Sequence, residues 1–194
     1  MEIVIIKYNA GNTQSVLFAL ERIGVSAIVT DDIEKIRSAD KIIFPGVGEA
    51  SSAMKYLKNK KLDMVIKNLN QPVLGICLGM QLMCNYSEEN NTHCLGIFNT
   101  MVKKFDNTNK VPQIGWNNIE QLSTPLFDDI APNSYCYFVH SYYAALCEET
   151  IAVTNYNTSF SSALLNKNFT GVQFHPEKSA NIGAKILKNF LEKI

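Results

Sequence analysis

The hydrophobic pattern of the chain changes period along its length. Glu2–Lys7 is a short apolar run with β-branched residues and predicts a strand. Thr13–Ile23 follows with Val16, Leu17, Leu20 and Ile23 at helical spacing. The alternation continues with strands at Val25–Val29 and Lys41–Phe44, helices at Ala50–Leu57 and Leu62–Leu69, a strand at Pro72–Ile76 and a helix over Leu78–Asn85. Short, continuously apolar strands separated by helices imply a parallel sheet covered on both faces. Beyond about residue 93 the pattern shifts. Gly96–Phe105, Val111–Glu120 and Tyr135–Ala144 read as antiparallel strands and long hairpins, and Phe169–Phe174 as one more strand. An amphipathic helix, Ala180–Leu191, closes the chain with Ile182, Ile186, Leu187, Phe190 and Leu191 on one side. The pattern implies one α/β domain over residues 1–194, with a mixed, largely parallel central sheet flanked by helices.

Composition narrows the class. At 194 residues the chain is long enough to bury a core as one domain. Hydrophobic residues at 46% and charged residues at 19% are those of an ordinary globular protein. Zero formal net charge leaves no basic surplus for nucleic acid. The apolar run Ile3–Ile6 is short, follows an acid at Glu2 and precedes no small-residue cleavage site, so it is not read as a secretion signal. No segment approaches the ~20 apolar residues needed to span a bilayer. The expectation is a soluble, cytoplasmic protein. The five cysteines (Cys77, Cys84, Cys94, Cys136 and Cys147) are odd in number and form no C-x-x-C pair, which argues against a disulfide framework or structural zinc. Three scattered histidines and no carboxylate cluster give no reason to expect a metal or organic cofactor.

The sharpest local feature is Gly75-Ile76-Cys77-Leu78-Gly79, set between an apolar strand and a helix. This is a nucleophile elbow with cysteine in the place that serine holds in many hydrolases. The glycines are needed where strand and helix nearly touch. The turn also leaves the sulfur at a helix N-terminus, which favours thiolate. A bland alternative is a core cysteine at a strand end, and Cys84, further along, is read that way.

A cysteine nucleophile needs a base, and the base needs an acceptor to fix its tautomer. Gln173-Phe174-His175-Pro176-Glu177 offers both in one turn at a strand end. Parallel α/β sheets carry chemistry at the carboxyl ends of their strands, so Cys77 and His175 are placed to converge. His93 reads as a solvated loop residue and His140 as a mid-strand, hydrogen-bonded structural histidine. Pro45-Gly46-Val47-Gly48 follows a strand, and its backbone N–H groups, with that of Leu78, suit an oxyanion. Gly46-Val47-Gly48 also begins a dinucleotide-binding string, but Ser51 stands where the third glycine belongs and the motif follows the third strand rather than the first.

Taken together, PGVG, GICLGMQL and QFHPEKS resemble the class I (triad) glutamine amidotransferases in order and spacing, over essentially the whole chain. Three further segments resemble the glutaminase subunits of imidazole glycerol phosphate synthases: Tyr8-Asn9-Ala10-Gly11-Asn12, Pro112-Gln113-Ile114-Gly115-Trp116-Asn117, and Tyr137 to Tyr143. Asn9 and Gln113 depart from that pattern, which has glycine and histidine there.

The resemblance implies a flavodoxin-like fold and a Cys77-His175-Glu177 triad that hydrolyses glutamine to glutamate and ammonia. It implies an oxyanion hole at Gly48 and Leu78, and a glutamine pocket that includes Gly46. Within that pocket Gln81 and Glu89 meet the α-amino end, and Ser141 and Tyr142 meet the α-carboxylate. Read from the residues alone, Glu89 stands in a polar run that looks like a solvated loop. The implied partner is a cyclase subunit with a (β/α)₈ barrel fold, forming a heterodimer that takes up ammonia in histidine biosynthesis, with Asn12 and Lys178 as interface residues. Rival readings are a paralogous amidotransferase serving another synthase, a stand-alone γ-glutamyl hydrolase, or a regulatory relative, the last of which predicts a broken triad.

Overall fold

The computed structural model describes residues 1–106 and 108–194. Its first half alternates strands and helices: β1 (Ile3–Ile6), α1 (Thr13–Arg22), β2 (Ile28–Thr30), α2 (Ile33–Ser38), β3 (Lys41–Gly46), α3 (Ala50–Asn59), α4 (Leu62–Lys67), β4 (Val73–Cys77) and α5 (Leu78–Met83). The second half is mostly strand. Short β5 (Tyr86–Ser87) and β6 (Thr92–His93) precede β7 (Met101–Lys104), β8 (Gln113–Ile119), β9 (Ser134–His140) and β10 (Tyr142–Ala144). Then come β11 (Thr150–Tyr156), β12 (Thr158–Asn166), β13 (Phe169–Val172) and the terminal helix α6 (Ala180–Lys193).

The main sheet runs β2-β1-β3-β4-β13-β12-β10-β7-β5-β6, with β11 beside β12. From β2 to β13 every neighbour is parallel. From β13 through β12 and β10 to β7 the pairing is antiparallel. The mixed sheet expected from the apolar pattern is therefore present, parallel from β2 to β13. Strands β8 and β9 form a separate antiparallel ribbon, bridged to the main sheet at Glu120 and Val153.

Side chains alternate across the parallel strands. Ile3, Ile5, Ile43 and Leu74 face α1 and α6, where Val16, Leu20, Ile186 and Phe190 cover them. Val4, Ile6, Ile42 and Phe44 face the other way, under Ile36, Met54, Leu57 and Ile66 from α2, α3 and α4. Burial on both faces is why these strands read as unbroken apolar runs.

Several boundaries differ from the pattern-based expectation. The second strand starts later, at Ile28, and α5 stops at Met83, leaving Cys84 as its fully buried cap. The segment 96–105 is strand only from Met101. Before that, the N–H groups of Leu95, Gly96, Ile97 and Phe98 bond to the carbonyls of Leu82, Cys84 and Met83, the exposed C-terminal carbonyls of α5. Tyr135–Ala144 is two strands, not one. The chain leaves the ribbon at His140 and enters the main sheet at Tyr142, so His140 ends a strand and does not lie within one. Helix α2 and the β11–β12 hairpin were not signalled by the pattern.

The ribbon is held to the sheet by aromatic packing. Phe160 on β12, fully buried, has ring centroids 6.1 Å from Phe138, 5.4 Å from His140, 5.7 Å from Phe105 and 5.8 Å from Tyr143. Phe160→Ala should cost about 3–5 kcal/mol in denaturant unfolding, through lost transfer energy and a residual cavity. Phe18→Ala, at a half-exposed position, should stay within about 0.5 kcal/mol of the parent. Equal losses at the two positions would refute this account of the core.

Candidate active site

Strand β4 is flanked in parallel by β3 and β13, so three adjacent strands deliver their carboxyl ends to one place. Register fixes what arrives there. Gly46 pairs with Cys77, and Val172 with Ile76, which leaves His175 three residues beyond the pairing.

Cys77 sits at φ 53°, ψ −111°, a strained conformation for a residue with a side chain. Its neighbours explain why it is held. A Cβ on Gly79 would lie 1.9 Å from the Phe44 carbonyl oxygen, and one on Gly75 would lie 2.9 Å from the Met80 nitrogen. Only glycine admits so close a passage of α5 over β3 and β4. Gly46 belongs to the same contact, packed against Leu78, Gly79 and the Tyr8 hydroxyl behind the elbow, and does not line the cavity in front of it. Tyr8 donates to the Pro45 carbonyl at 2.7 Å. Burial, and then the Cys77 sulfur, push its hydroxyl above the usual tyrosine range, so it stays a neutral donor.

His175 follows β13, and its Nδ1 lies 2.7 Å from Glu177 Oε1, with both side chains almost fully buried. That contact turns Nε2 toward the sulfur. Burial presses the imidazole toward its neutral form. The Cys77 sulfur and the Glu177 carboxylate oppose it, and the balance leaves His175 holding its proton above the ordinary histidine range. The backbone of this turn is also tied down. His175 N–H donates to the Tyr137 carbonyl at 2.8 Å, Tyr137 N–H donates to Ser179 Oγ at 2.9 Å, and Ser179 Oγ donates to the His175 carbonyl at 2.7 Å. Arg22 Nη2 donates to the Glu177 carbonyl at 3.2 Å.

In front of the elbow lies a cavity of about 260 Å³. Its wall includes Gly48, Cys77, Leu78, Gln81, Glu89, Ser141, Tyr142 and His175, residues selected from the sequence for one site, and Lys178, selected for the interface. Gly48 adopts φ 121°, open to glycine but not to other residues. The break between β9 and β10 is what turns Ser141 and Tyr142 toward the cavity. Glu89 is half-buried on a single 3₁₀ turn, not a solvated loop, and its Oε2 accepts from the Ala50 N–H at the start of α3, 2.8 Å away. Burial raises its carboxyl above the usual range, the Ala50 bond opposes this, and Glu49 adds to the rise. Asn12 lies outside the cavity as the cap of α1, accepting from Ser15 N–H at 3.1 Å.

Sequence reasoning did not pick out Gln173, whose Nε2 lies 3.6 Å from Cys77 Sγ, or Val139, whose carbonyl lies 3.8 Å from the same sulfur. His140 also lines the wall, with Nδ1 2.7 Å from the Tyr142 carbonyl. Among the described residues no group of three or more His, Cys, Asp or Glu side chains is placed to hold a metal ion, and no helix is long and apolar enough to cross a membrane.

A thiol on a strained elbow beside a carboxylate-bound imidazole is suited to acyl transfer from an amide, through a thioester. The chain belongs to the glutamine amidotransferase class-I family, which it matches over residues 4–194, and it is an enzyme of that class. It is 55% identical over 99% of its length, and the whole of the relative, to "Imidazole glycerol phosphate synthase subunit HisH" of Bacteroides fragilis. It is 47% identical to the protein of the same name from Haemophilus influenzae, over all of this chain and 98% of that one. A crystal structure described as a glutamine amidotransferase superposes with a TM-score of 0.77 at 16% identity, covering 99% of this chain and 98% of the other, a likeness of fold.

His140 provides a pH test. Burial, only partly offset by the Tyr142 carbonyl and reinforced by His175, lowers its pKa to about 4. The unfolded chain takes up this proton near pH ~6.5. Between those values the unfolded state binds more protons, so stability falls as pH drops through that window. Urea unfolding should show the parent losing about 1–2 kcal/mol more than His140→Gln between pH 7 and pH 5. Parallel pH profiles would show that His140 is not the group responsible.

Proposed function

We propose that this chain is the glutaminase subunit of an imidazole glycerol phosphate synthase, working in the cytoplasm as one domain. It hydrolyses glutamine with Cys77, His175 and Glu177 and hands ammonia to a (β/α)₈ barrel cyclase subunit in histidine biosynthesis. The observation that carries the chemistry is the buried His175–Glu177 contact behind Cys77, opening on a cavity of about 260 Å³ that suits one amino acid.

Cys77, as thiolate, attacks the side-chain amide carbon of glutamine. The tetrahedral oxyanion is held by N–H groups at Leu78 and Gly48. Collapse breaks the C–N bond, and His175 Nε2 gives its proton to the departing ammonia. Water then attacks the thioester while His175 takes the proton back, and glutamate leaves. Glu177 keeps the imidazole in one orientation and stabilises its charged form. Glu89 and Gln81 receive the substrate ammonium, and Ser141 and Tyr142 receive its carboxylate. Gly46 acts from behind, by letting the elbow sit where it does.

A partner surface adjoins the cavity. On the outer face of the β8–β9 ribbon, Ile114 and Tyr135 are 59% exposed and Trp116 is 52% exposed. Trp116 pairs with Tyr137, and Ile114 with Val139, which also lines the cavity. Lys178 Nζ stands 5.9 Å from the Tyr137 ring and borders the same opening. Exposed aromatics beside a catalytic mouth suit a docked subunit that receives a small product. Lys178 borders this surface, and Asn12, the cap of α1, is the second residue proposed for the interface.

Glutamate release should be measured for the chain alone, with a barrel cyclase subunit, and with that subunit plus its nucleotide ligand. A large rise in the last mixture is expected. No rise would move the chain to a different synthase. Cys77→Ser should abolish glutamine-dependent synthesis and leave ammonia-dependent synthesis intact. Loss of both would refute the division of labour.

A further inference from the structure

At the cavity wall, the Gln81 amide and the His140 imidazole converge on one backbone oxygen. Gln81 Nε2 donates to the Tyr142 carbonyl at 2.8 Å and to Gln173 Oε1 at 2.9 Å. His140 Nδ1 meets the same Tyr142 carbonyl at 2.7 Å. A backbone carbonyl has no donor form, so Gln81 must present its NH₂ there. Flipping the Gln81 amide would set oxygen against oxygen at both contacts. With its oxygen taken by Gln81, Gln173 has one orientation left, and its Nε2 points at Cys77 Sγ, 3.6 Å away. Gln173 is fully buried, so its amide has no water as an alternative partner.

The sulfur has a second polar neighbour, the Val139 carbonyl at 3.8 Å. The two neighbours have opposite preferences. A carbonyl oxygen accepts from the thiol and repels the thiolate, whereas an amide N–H favours the thiolate. We infer that Gln173 is a positioning residue that holds Cys77 as thiolate through an N–H bond whose direction is set by Gln81 and the Tyr142 carbonyl. The amide that lines the substrate cavity and the amide that touches the nucleophile are thereby one hydrogen-bonded unit. This rests on Cys77 being the nucleophile, and it adds a side-chain donor to the sulfur's environment.

The test is the pH dependence of Cys77 alkylation by iodoacetamide, read by mass spectrometry of the Cys77 peptide in the full chain. Gln173→Met keeps size and removes the donor. Its midpoint should rise by about 1 unit, the scale of one hydrogen bond to a charged group. Gln173→Glu puts a carboxylate against the sulfur and should raise the midpoint further. Gln81→Met frees the Gln173 amide to turn and should give a smaller rise. For glutamine hydrolysis, Gln173→Met should lower kcat with little change in KM, and Gln81→Met should raise KM. A folded Gln173→Met with an unmoved midpoint overturns the inference. If the Gln173 variants do not fold, the parent suffices. The side-chain amide resonance of Gln173 should shift in step with the ultraviolet absorbance of the thiolate and lose that shift in Cys77→Ser, and a resonance that stays fixed also overturns it. Retained hydrolysis in Cys77→Ser would instead refute the assignment of the nucleophile, so the two failures are distinguishable.

Discussion

The site depends on one close approach. Helix α5 begins so near strand β3 that the Gly79 Cα faces the Phe44 carbonyl with no room for a side chain. The chain has to turn from β4 into α5 within a residue or two, and that turn holds Cys77 at positive φ. Such strain typically costs about 1–3 kcal/mol and survives only where the surroundings over-determine it. Here the surroundings are a parallel sheet bonded on both sides of β4 and packed on both faces. A sheet of this kind holds its neighbours in fixed register, so the loop after β3 and the histidine after β13 arrive opposite the sulfur.

Placing Cys77, His175 and Glu177 in this corner has an electrostatic consequence. His175 and Glu177 are both removed from water, and Glu177 Oε2 has no hydrogen-bond partner among the described residues. Burying a charged pair gains little stability and often loses some. What it supplies is orientation. One carboxylate oxygen fixes Nδ1, the fixed ring directs Nε2, and the low-dielectric surroundings strengthen the bond between them. The turn that carries both residues is short, and the Arg22 and Ser179 side chains bind its carbonyls. The alignment of His175 with Glu177 is therefore maintained by bonds from neighbouring side chains to the backbone of the turn.

The legibility of the sequence follows the same physics. Val73–Ile76 and Ile3–Ile6 read as strands because burial on both faces demands apolar residues throughout. The elbow and the histidine turn were legible because glycine, cysteine, histidine and proline have few substitutes there. The β11–β12 hairpin was not. Thr154, Ser161 and Ser162 are fully buried within it and give it the look of a polar loop. Thr154 and Ser161 find carbonyl partners at Asn118 and Ala145, far away in sequence, and no local pattern encodes such bonds. Glu89 misled for the same reason, since its partner is Ala50. Tyr137 to Tyr143 looked continuous because both halves are aromatic, although the chain changes sheets at Ser141. Gln173 was passed over as one position in a strand, because a side-chain amide declares its role only through the atoms around it.

The ribbon that holds the exposed aromatics is also the element that holds the histidine. The Tyr137 carbonyl accepts from the His175 N–H, and its own N–H reaches the His175 carbonyl through Ser179 Oγ. The outer face of the same strand presents Tyr135 and Tyr137, and its inner face carries Phe138 and His140 into the aromatic cluster under Phe160. Val139, between them, contributes both to the cavity wall and to the surroundings of the sulfur. Under the proposed function, coupling between a docked subunit and His175 then needs no long path. A ligand shifts an equilibrium only by its differential contacts with the two states. A partner on the outer face would make those contacts on the strand whose backbone positions His175 and whose Val139 carbonyl lies beside the Cys77 sulfur. A small displacement of β9 would alter both at once, so docking and activation can be a single mechanical event.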